Sequence, residues 1–422
     1  MPQEFVDPKR PLPRPEWVRA VNEEGRIWAA ADMLADVVPL DEASLLDTAR
    51  RATGLDDFGA DDWQEPLRVL LRALEEEADL NLMGRLCTRS ELLIWLENRL
   101  KIVALVKRNP EIRDVPIERP VFITGLPRTG TSILQEVLWQ DPNLRTPLFW
   151  ETIYPVESAL SGGQDQRAMA NGDALITQWI RVTPEIQALH ETAGHLPAED
   201  ATVLAYTLVS DHIMSFYQIP SYHAYVNSVD AVPLYRYHKL FLQVLQWRAP
   251  RKQWFGKTLY HLGHLPELFT VYPDARIIHT HRDPLRSMAS VTNLLRTFYW
   301  QRSDRDFDAP GFEEITVAEP TAQRLEAVME LRDKGLVPSN QIVDSRYQDL
   351  MDDSVAAVEK IYRTLGIPYD EAVGVRVRRY LEFKPKGKHG AHDYRRMDPA
   401  QVAKSRPLFR RYQQRYGVPD EA

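Results

Sequence analysis

The feature that most constrains the fold is a strand, a tight loop and a helix start within residues 119–132. Residues 121–124 form a short, mostly apolar run between a proline and a glycine, as expected for a buried strand. A turn with glycine at both ends follows, and the small hydroxyl residues Thr131 and Ser132 then begin a helical pattern. Such a loop directs free backbone N–H groups and a helix N-terminus to one point. The sequence therefore predicts a phosphate-binding loop.

The details of this loop argue against the two commonest nucleotide-binding loops. Gly125 and Gly130 have the spacing of the Walker A pattern G-x-x-x-x-G-K-[ST], but Thr131 stands where that pattern has lysine. The cation lies inside the loop instead, at Arg128, and no hydrophobic strand ends in a Walker-B-type aspartate. The dinucleotide pattern G-x-G-x-x-G is also absent. Triphosphate and magnesium chemistry is therefore poorly supported.

The loop resembles the nucleotide loop of the PAPS-dependent sulfotransferases, which has the form P-[KR]-[ST]-G-[ST]-[ST]. The matching residues are Pro127, Arg128, Thr129, Gly130, Thr131 and Ser132. In that family the loop binds the 5′-phosphosulfate of 3′-phosphoadenosine-5′-phosphosulfate (PAPS) without a metal, so the resemblance implies nucleotide-binding roles for residues 128–133. The loop looks closest to the bacterial, largely actinobacterial, branch with a long N-terminal helical region. Animal members place an adenine-stacking aromatic residue where this chain has Ile133.

Composition indicates a globular protein with enough apolar residues for a large core, since 44% of the 422 residues are hydrophobic. The net charge of −8 argues against a general nucleic-acid binder. Cys87 is the single cysteine, which excludes an intrachain disulfide and fits a reducing compartment. The N-terminus lacks the apolar core of a signal peptide, and no run approaches the ~20 apolar residues of a membrane span. We therefore expect a cytoplasmic protein without a membrane span.

The first hundred residues carry helical patterns and no evident chemistry. Leucines recur at helical spacing over residues 63–74, and Thr88-Arg-Ser-Glu91 predicts a capping box for a second long helix. We predict an arm and a helical cap over residues 1–108, followed by a sulfotransferase-like domain over residues 109–422. Within that domain, residues 155–250 form a helical insertion rich in aromatic residues, where we expect the acceptor to bind.

Strands and helices alternate from the loop onward. The predicted strands are residues 121–124, 144–150, 254–257, 276–280 and 341–345. The predicted helices after the loop helix are residues 262–271, 285–300 and 354–365. This repetition predicts an α/β fold with a P-loop-like parallel sheet flanked by helices. Because ligands bind at the carboxyl ends of parallel strands, the residues that follow these strands are the candidate site.

Arg282 and Ser290 follow the strand predicted at residues 276–280. They are eight positions apart, the separation at which sulfotransferases hold the 3′-phosphate with an arginine at a strand end and a later serine. The planar fork of arginine suits this task because it binds two phosphate oxygens at once. The resemblance thus implies that Arg282 and Ser290 recognise the group that distinguishes PAPS from ATP.

Lys257 and His261 follow the strand predicted at residues 254–257. The family commonly has a lysine with a histidine a few residues later, although the animal enzymes have Lys-x-His and this chain has three intervening residues. Sulfuryl transfer to an alcohol needs a base for the hydroxyl proton and cations for the charge on the leaving phosphate. We expect His261 to be the base and Lys257, with Arg128, to supply the cations. His195 and Glu199 are alternative bases, since the bacterial branch often has a similar Leu-Pro-x-Glu segment.

Two later segments also fit a nucleotide site. The segment around Tyr347 resembles the family's segment whose tyrosine lies against the adenine. Lys386, Gly387 and Lys388 belong to a basic loop similar to the family's late loop that closes over the 3′-phosphate.

A metal site is not predicted. His279 and His281 alternate on a strand and share one face, but no third imidazole or acidic partner is evident from the sequence.

The sequence thus predicts sulfuryl transfer from PAPS to a hydroxyl, or less commonly an amine, of a small lipophilic acceptor such as an alcohol or phenol. The alternatives are an atypical P-loop kinase that uses ATP and magnesium, and a non-catalytic nucleotide-binding module. Arg282 with Ser290 argues against the kinase, whereas turnover would exclude the module. The acceptor, the pathway and the oligomeric state have no readable pattern, because acceptor pockets are built by variable loops.

Overall fold

The structure, a computed structural model, describes residues 13–250, 252–309, 311–384 and 398–421. The predicted nucleotide-loop residues Lys386, Gly387 and Lys388 lie outside these described residues. Within the described ranges, no helix is both long enough and apolar enough to cross a membrane.

Helices fill the described chain ahead of the sheet. They are α1 (Glu16–Ala30), α2 (Leu34–Val37), α3 (Glu42–Thr53), α4 (Gln64–Glu76) and α5 (Leu82–Arg108), with 3-10 turns at Asp61–Trp63 and Pro110–Asp114. The capping box predicted at Thr88 is wrong, because Thr88 lies inside α5 and donates its hydroxyl to the Gly84 carbonyl at 2.7 Å. Asn81 is the cap instead, and its side chain accepts from the Gly84 amide at 2.8 Å.

Strands and helices alternate after residue 120. The strands are β1 (Val121–Gly125), β2 (Leu144–Arg145), β3 (Gln253–Lys257), β4 (Arg276–His281) and β5 (Ile342–Arg346). The helices are α6 (Thr131–Leu138), α7 (Phe149–Ile153), α8 (Pro155–Ser161), α9 (Gln166–Val182), α10 (Ile186–Leu189), α11 (Asp200–Leu204), α12 (Asp211–Met214), α13 (Pro220–Val226), α14 (Ala231–Gln246), α15 (Leu265–Val271), α16 (Pro284–Trp300), α17 (Glu313–Thr316), α18 (Ala318–Asp333), α19 (Tyr347–Asp352), α20 (Ser354–Leu365), α21 (Glu371–Phe383), α22 (Pro399–Ser405) and α23 (Arg410–Tyr416). Further 3-10 turns cover Ala205–Thr207, Tyr260–Gly263, Ser339–Gln341 and Arg406–Phe409.

The five strands form one parallel sheet in the order β2-β3-β1-β4-β5, which confirms the predicted α/β fold. Val121 of β1 lies opposite Phe255 on one side and Arg276 on the other, so the loop after β1 leaves the centre of the sheet. The strand predicted over residues 144–150 is shorter than expected. Only Leu144–Arg145 pairs with β3, because Pro147 cannot donate to a ladder and the chain then turns into α7.

The core covers both faces of the sheet. Val121 and Ile123 pack with α6 and α20 on one face, whereas Phe122 belongs to a larger cluster on the other face. That larger cluster joins residues of α3, α4 and α5 to residues of α14. The helices before residue 109 therefore share a core with β1, and the proposed domain boundary at residue 108 stays a prediction.

Candidate active site

The loop after β1 closes by internal hydrogen bonds. The hydroxyl of Thr129 donates to the Leu126 carbonyl at 2.7 Å and lies 2.6 Å from the hydroxyl of Thr280 on β4. Gly130 adopts a left-handed conformation with φ of 89°, and a Cβ there would lie 2.8 Å from Cδ2 of Tyr347. The loop therefore requires glycine at this position for two reasons, the backbone angle and the close approach of the tyrosine ring.

The amide groups of the loop are a candidate anion site. Among the described residues, the amides of Thr129, Gly130 and Thr131 make no backbone hydrogen bond, and Thr131 begins α6. The first amides of a helix have no partner within the helix and carry the positive end of its dipole. The loop thus fits a tetrahedral anion such as a phosphate, as its sequence predicts.

Arg128, Arg282, Ser290 and Tyr347 surround the loop. Nε of Arg128 donates to the Ser290 hydroxyl at 3.0 Å, and Nη1 of Arg282 donates to the Arg128 carbonyl at 3.1 Å. The Arg282 guanidinium lies 3.8 Å from the centre of the Tyr347 ring. The structure therefore brings these four predicted site residues together, although Ser290 meets Arg128 rather than Arg282.

The fork of Arg282 already holds a carboxylate. Its Nε and Nη2 donate to Oε2 of Glu421 at 2.9 and 2.7 Å. The backbone amide of Glu421 donates to Asp283 at 2.7 Å, which fixes the segment beside the loop. The geometry shows that Arg282 presents two donors to one oxyanion at this edge of the site.

Lys257 ends β3 and lies at the start of the loop helix. Its ammonium donates to the Ser132 hydroxyl at 3.2 Å and to the carboxylate of Glu199, and its side chain is almost fully buried. Burial acts to raise the pKa of Glu199, but the Lys257 ammonium together with His190 and His212 outweighs it, and the net shift is downward. His190 lies 3.5 Å from the same carboxylate oxygen, and burial lowers its pKa to about 4. Glu199 is thus an ionised partner that orients Lys257.

The structure does not favour His261 as the base. Its Nδ1 lies 2.9 Å from the Tyr235 hydroxyl, its Nε2 lies 3.0 Å from Oδ2 of Asp200, and its exposed fraction is 0%. Burial lowers its pKa, and Phe122 packs against the ring at 4.9 Å. Because both ring nitrogens are engaged inside the core, His261 holds the segment after β3 in place and has no nitrogen left for an acceptor.

The other candidates from the sequence, His195, Glu199 and Ile133, lie in different surroundings. His195 is 66% exposed and lies 3.7 Å from Asp173, away from Lys257, whereas Glu199 lies in the site. Ile133 is half-buried on α6 and packs against the core on that side of the sheet. Sequence reasoning missed the buried pair of Asp200 with His261, and the only signal was the adjacency of Asp200 to Glu199.

The histidine pair on β4 has the acidic neighbour that sequence analysis did not identify. Ligand atoms of His279, His281 and Asp344 lie within 4.8 Å of one another. Arg332 donates to both oxygens of Asp344, at 2.6 and 2.9 Å, so the carboxylate is already neutralised. The Tyr416 ring stacks on His281 at 3.9 Å. These contacts fit a structural clamp between β4, β5 and α23, and a guanidinium so close would repel a cation.

A cavity of about 620 Å³ opens beside the loop. Pro127 of the loop lines it, together with His190 and Glu199. Its apolar wall includes Phe149, Ile176, Trp179, Phe216, Leu295 and Phe298. Cavities of this size and lining accommodate an apolar small molecule next to a few fixed polar groups.

Together, the fold and the site define a nucleotide-dependent transferase of the P-loop-like class. An anion-binding loop follows the central strand, a lysine from the next strand meets its helix, and an arginine fork lies at its edge. The model of the sulfotransferase family matches residues 120–371, more than half of the chain, and the chain belongs to that family.

Known proteins of similar sequence and structure are named as sulfotransferases. The omega-hydroxy-beta-dihydromenaquinone-9 sulfotransferase Stf3 of Mycobacterium bovis is 25% identical over 283 residues, which are 62% of this chain. The alignment spans 66% of the length of that relative. The crystal structure of sulfotransferase STF1 from Mycobacterium tuberculosis superposes with a TM-score of 0.73 at 30% identity, over 88% of this chain and 98% of the other. Sulfotransferase STF9 from Mycobacterium avium, at 24% identity, shares the fold with a TM-score of 0.74 over 90% of this chain and 98% of its own.

Proposed function

We propose that the protein transfers a sulfuryl group from PAPS to a hydroxyl group of a lipophilic small molecule in the cytoplasm. The observation that carries this proposal is the position of the Arg282 fork beside a loop with unpaired amides, because PAPS has two separate phosphate sites to satisfy. Family membership supports the reaction and gives no support to the kinase alternative.

The residues around the loop have different roles in the proposed reaction. The loop amides and Arg128 hold the 5′-phosphate, Arg282 holds the 3′-phosphate, and Tyr347 lies beside Arg282 for the adenine side. PAPS supplies an activated sulfuryl group when it is bound. Lys257, held by Ser132 and Glu199, stabilises negative charge that develops on the bridging phosphate oxygen. The cavity beside the loop holds the acceptor with its hydroxyl against the loop.

The lining of the cavity supports an apolar acceptor with a hydroxyl group. Aromatic and aliphatic side chains form most of the wall, and its polar residues include Glu199, Asp211 and His212. The relative Stf3 is named for omega-hydroxy-beta-dihydromenaquinone-9, a hydroxylated compound. We propose the same general chemistry for this chain, an alcohol or phenol on an apolar body.

Isothermal titration in EDTA tests the nucleotide assignment. We expect adenosine 3′,5′-bisphosphate (PAP) to bind without metal at least about 100-fold more tightly than ADP, since charge-assisted contacts to the extra phosphate are worth about 3 kcal/mol. A parallel titration with ATP and magnesium is the control. Tight binding of ATP that requires magnesium, or equal affinity for PAP and ADP, would contradict the proposal. Release of PAP from PAPS in the presence of an alcohol would then exclude a non-catalytic module.

The carboxylate of Glu421 is expected to compete with the 3′-phosphate for Arg282. Glu421→Gln keeps the shape of the side chain and removes the charge, so PAP affinity should rise by about 3- to 10-fold in titration calorimetry, corresponding to roughly 1 kcal/mol for an exposed ion pair. Asp420→Asn is the matched control, because Asp420 contacts Arg406, Arg410 and Gln413 rather than Arg282. Unchanged PAP affinity in Glu421→Gln would show that Arg282 does not bind this nucleotide.

A further inference from the structure

Asp211 is one of several acidic residues on the wall of the cavity. Its Oδ2 accepts a hydrogen bond from the Thr258 hydroxyl at 2.7 Å, and Thr258 directly follows Lys257 in the chain. Its Oδ1 lies 3.5 Å from the hydroxyl of Ser210, which donates at 2.6 Å to the Ala201 carbonyl. One oxygen is thus anchored to the loop after β3, and the other keeps its acceptor capacity for a ligand.

Asp211 differs from the other carboxylates of the cavity wall. Each of those is neutralised by a cation, in the pairs Glu199 with Lys257, Glu91 with Arg302, and Glu314 with Arg324. Among the described residues, none of the ion pairs includes Asp211. A buried carboxylate that lines a cavity without an ion-pair partner costs folding free energy, which is a feature common to functional groups.

The surroundings of Asp211 and Glu199 shift the pKa values of these two acids in opposite directions. Burial raises the pKa of Asp211 to about 6, whereas at Glu199 burial is outweighed by Lys257, His190 and His212, and the pKa lies below its ordinary value. The charged and titratable groups that face Asp211 from neighbouring elements are Glu199, Arg324, Tyr235, Tyr260 and the adjacent His212. Two acids with separated pKa values mark separate roles in many active sites. Here Glu199 suits an electrostatic role and Asp211 suits proton transfer near neutral pH.

We propose that Asp211 is the general base that takes the proton of the acceptor hydroxyl, an assignment that rests on the proposed sulfuryl transfer. The O–H bond of the acceptor breaks, its proton passes to Oδ1 of Asp211, and the oxygen forms the new bond to sulfur. The bond between sulfur and the bridging phosphate oxygen breaks, and its electron pair stays on that oxygen beside Lys257. Asp211 thereby fills the role that the buried His261 cannot perform.

The test compares initial rates of the wild-type enzyme and Asp211→Asn with PAPS and either 2-naphthol or 1-dodecanol, from about pH 5 to about pH 9. We expect Asp211→Asn to lower kcat by about 10²- to 10⁴-fold with PAP affinity unchanged. The wild-type rate should fall as the pH drops below about 6, where Asp211 is protonated, and the variant should lack this acidic limb. Asp47→Asn on the surface of α3, paired with Arg51, is the control for a lost carboxylate.

Thr258→Val provides an independent readout. It removes the hydrogen bond that stabilises the ionised carboxylate, so the acidic limb should move to higher pH while PAP affinity stays the same. Thermal unfolding at neutral pH should show an equal or higher Tm for Asp211→Asn, because the variant no longer buries a charge that the unfolded chain ionises freely. A lower Tm would indicate a structural role and count against the proposal.

The outcomes separate the base assignment from the proposed function. Asp211→Asn with a rate within about tenfold of wild type and an unmoved acidic limb would overturn the assignment alone. If Asp211→Asn does not bind PAP, the pH–rate profile of Thr258→Val is the test instead. An acidic limb at the same pH as in the wild type then overturns the assignment. Wild-type protein that binds PAP yet releases none from PAPS with either acceptor would overturn the proposed transfer, and the assignment with it.

Discussion

Replacing Lys257 by methionine is expected to lower kcat for sulfuryl transfer by about 10²- to 10³-fold, the range measured when one preorganised donor to a developing anion is removed. The physical reason is position: the ammonium contacts Ser132 on the first turn of α6, beside the proposed phosphate site, and it is almost fully buried. Low solvent access strengthens its interaction with the leaving oxygen. The measurement is single-turnover PAP release from PAPS with 2-naphthol, with the PAP dissociation constant measured separately.

Two further variants distinguish the effect of losing the Lys257 charge on kcat from its effect on folding stability. Lys257→Met leaves Glu199 without its cation, which is destabilising by itself, so the double variant Lys257→Met with Glu199→Gln should recover the Tm while kcat stays low. Lys257→Arg keeps the charge but not the compact ammonium, and should retain an intermediate rate. A kcat within about fivefold of wild type in the double variant would remove Lys257 from the mechanism.

Much of the fold was predictable because its local signals agree with its packing. The run from Val121 into a glycine-framed loop is a buried central strand followed by a helix N-terminus, and the helix predicted over residues 285–300 is α16, which Asp283 caps. Helix α20 runs from Ser354 to Leu365 and ends at Gly366, as predicted. An error arose at Thr88, because the helix begins at Leu82, more than a turn before it, and the earlier Asn81 is the cap.

The site was predictable where a single loop builds it, and unpredictable where distant segments meet. Arg128, Gly130 and Thr131 are close in sequence, so their pattern reports their geometry. The roles of His261 and Asp211 depend on what α11 and α12 place against β3, and no local pattern encodes that packing. A histidine near a lysine therefore suggested a base, whereas Asp200 and Tyr235 hold both of its nitrogens in the core.

Arg282→Ala is expected to weaken PAP binding by about 10²- to 10³-fold and ADP binding by no more than a few-fold, because only PAP carries the 3′-phosphate and each charge-assisted hydrogen bond contributes about 1.5–3 kcal/mol. This expectation rests on the two hydrogen bonds that Arg282 donates to the carboxylate of Glu421. The ring of Tyr347 and the Arg128 carbonyl fix the guanidinium in that orientation. Titration calorimetry in EDTA measures both nucleotides.

The controls for Arg282 make the prediction specific to the fork. Arg346→Ala removes a nearby cation that pairs with Asp349 at the surface, and PAP affinity should stay within about twofold because long-range charge is screened. Arg282→Lys should recover only part of the affinity, since an ammonium cannot hold two oxygens in one plane.

In the Glu421→Gln background the loss of PAP affinity caused by Arg282→Ala should grow, because the competing carboxylate no longer masks the contribution of the Arg282 guanidinium. Equal losses for PAP and ADP would instead make Arg282 a general support of the loop, through its bond to the Arg128 carbonyl, and the selectivity for a 3′-phosphate would have to come from other residues.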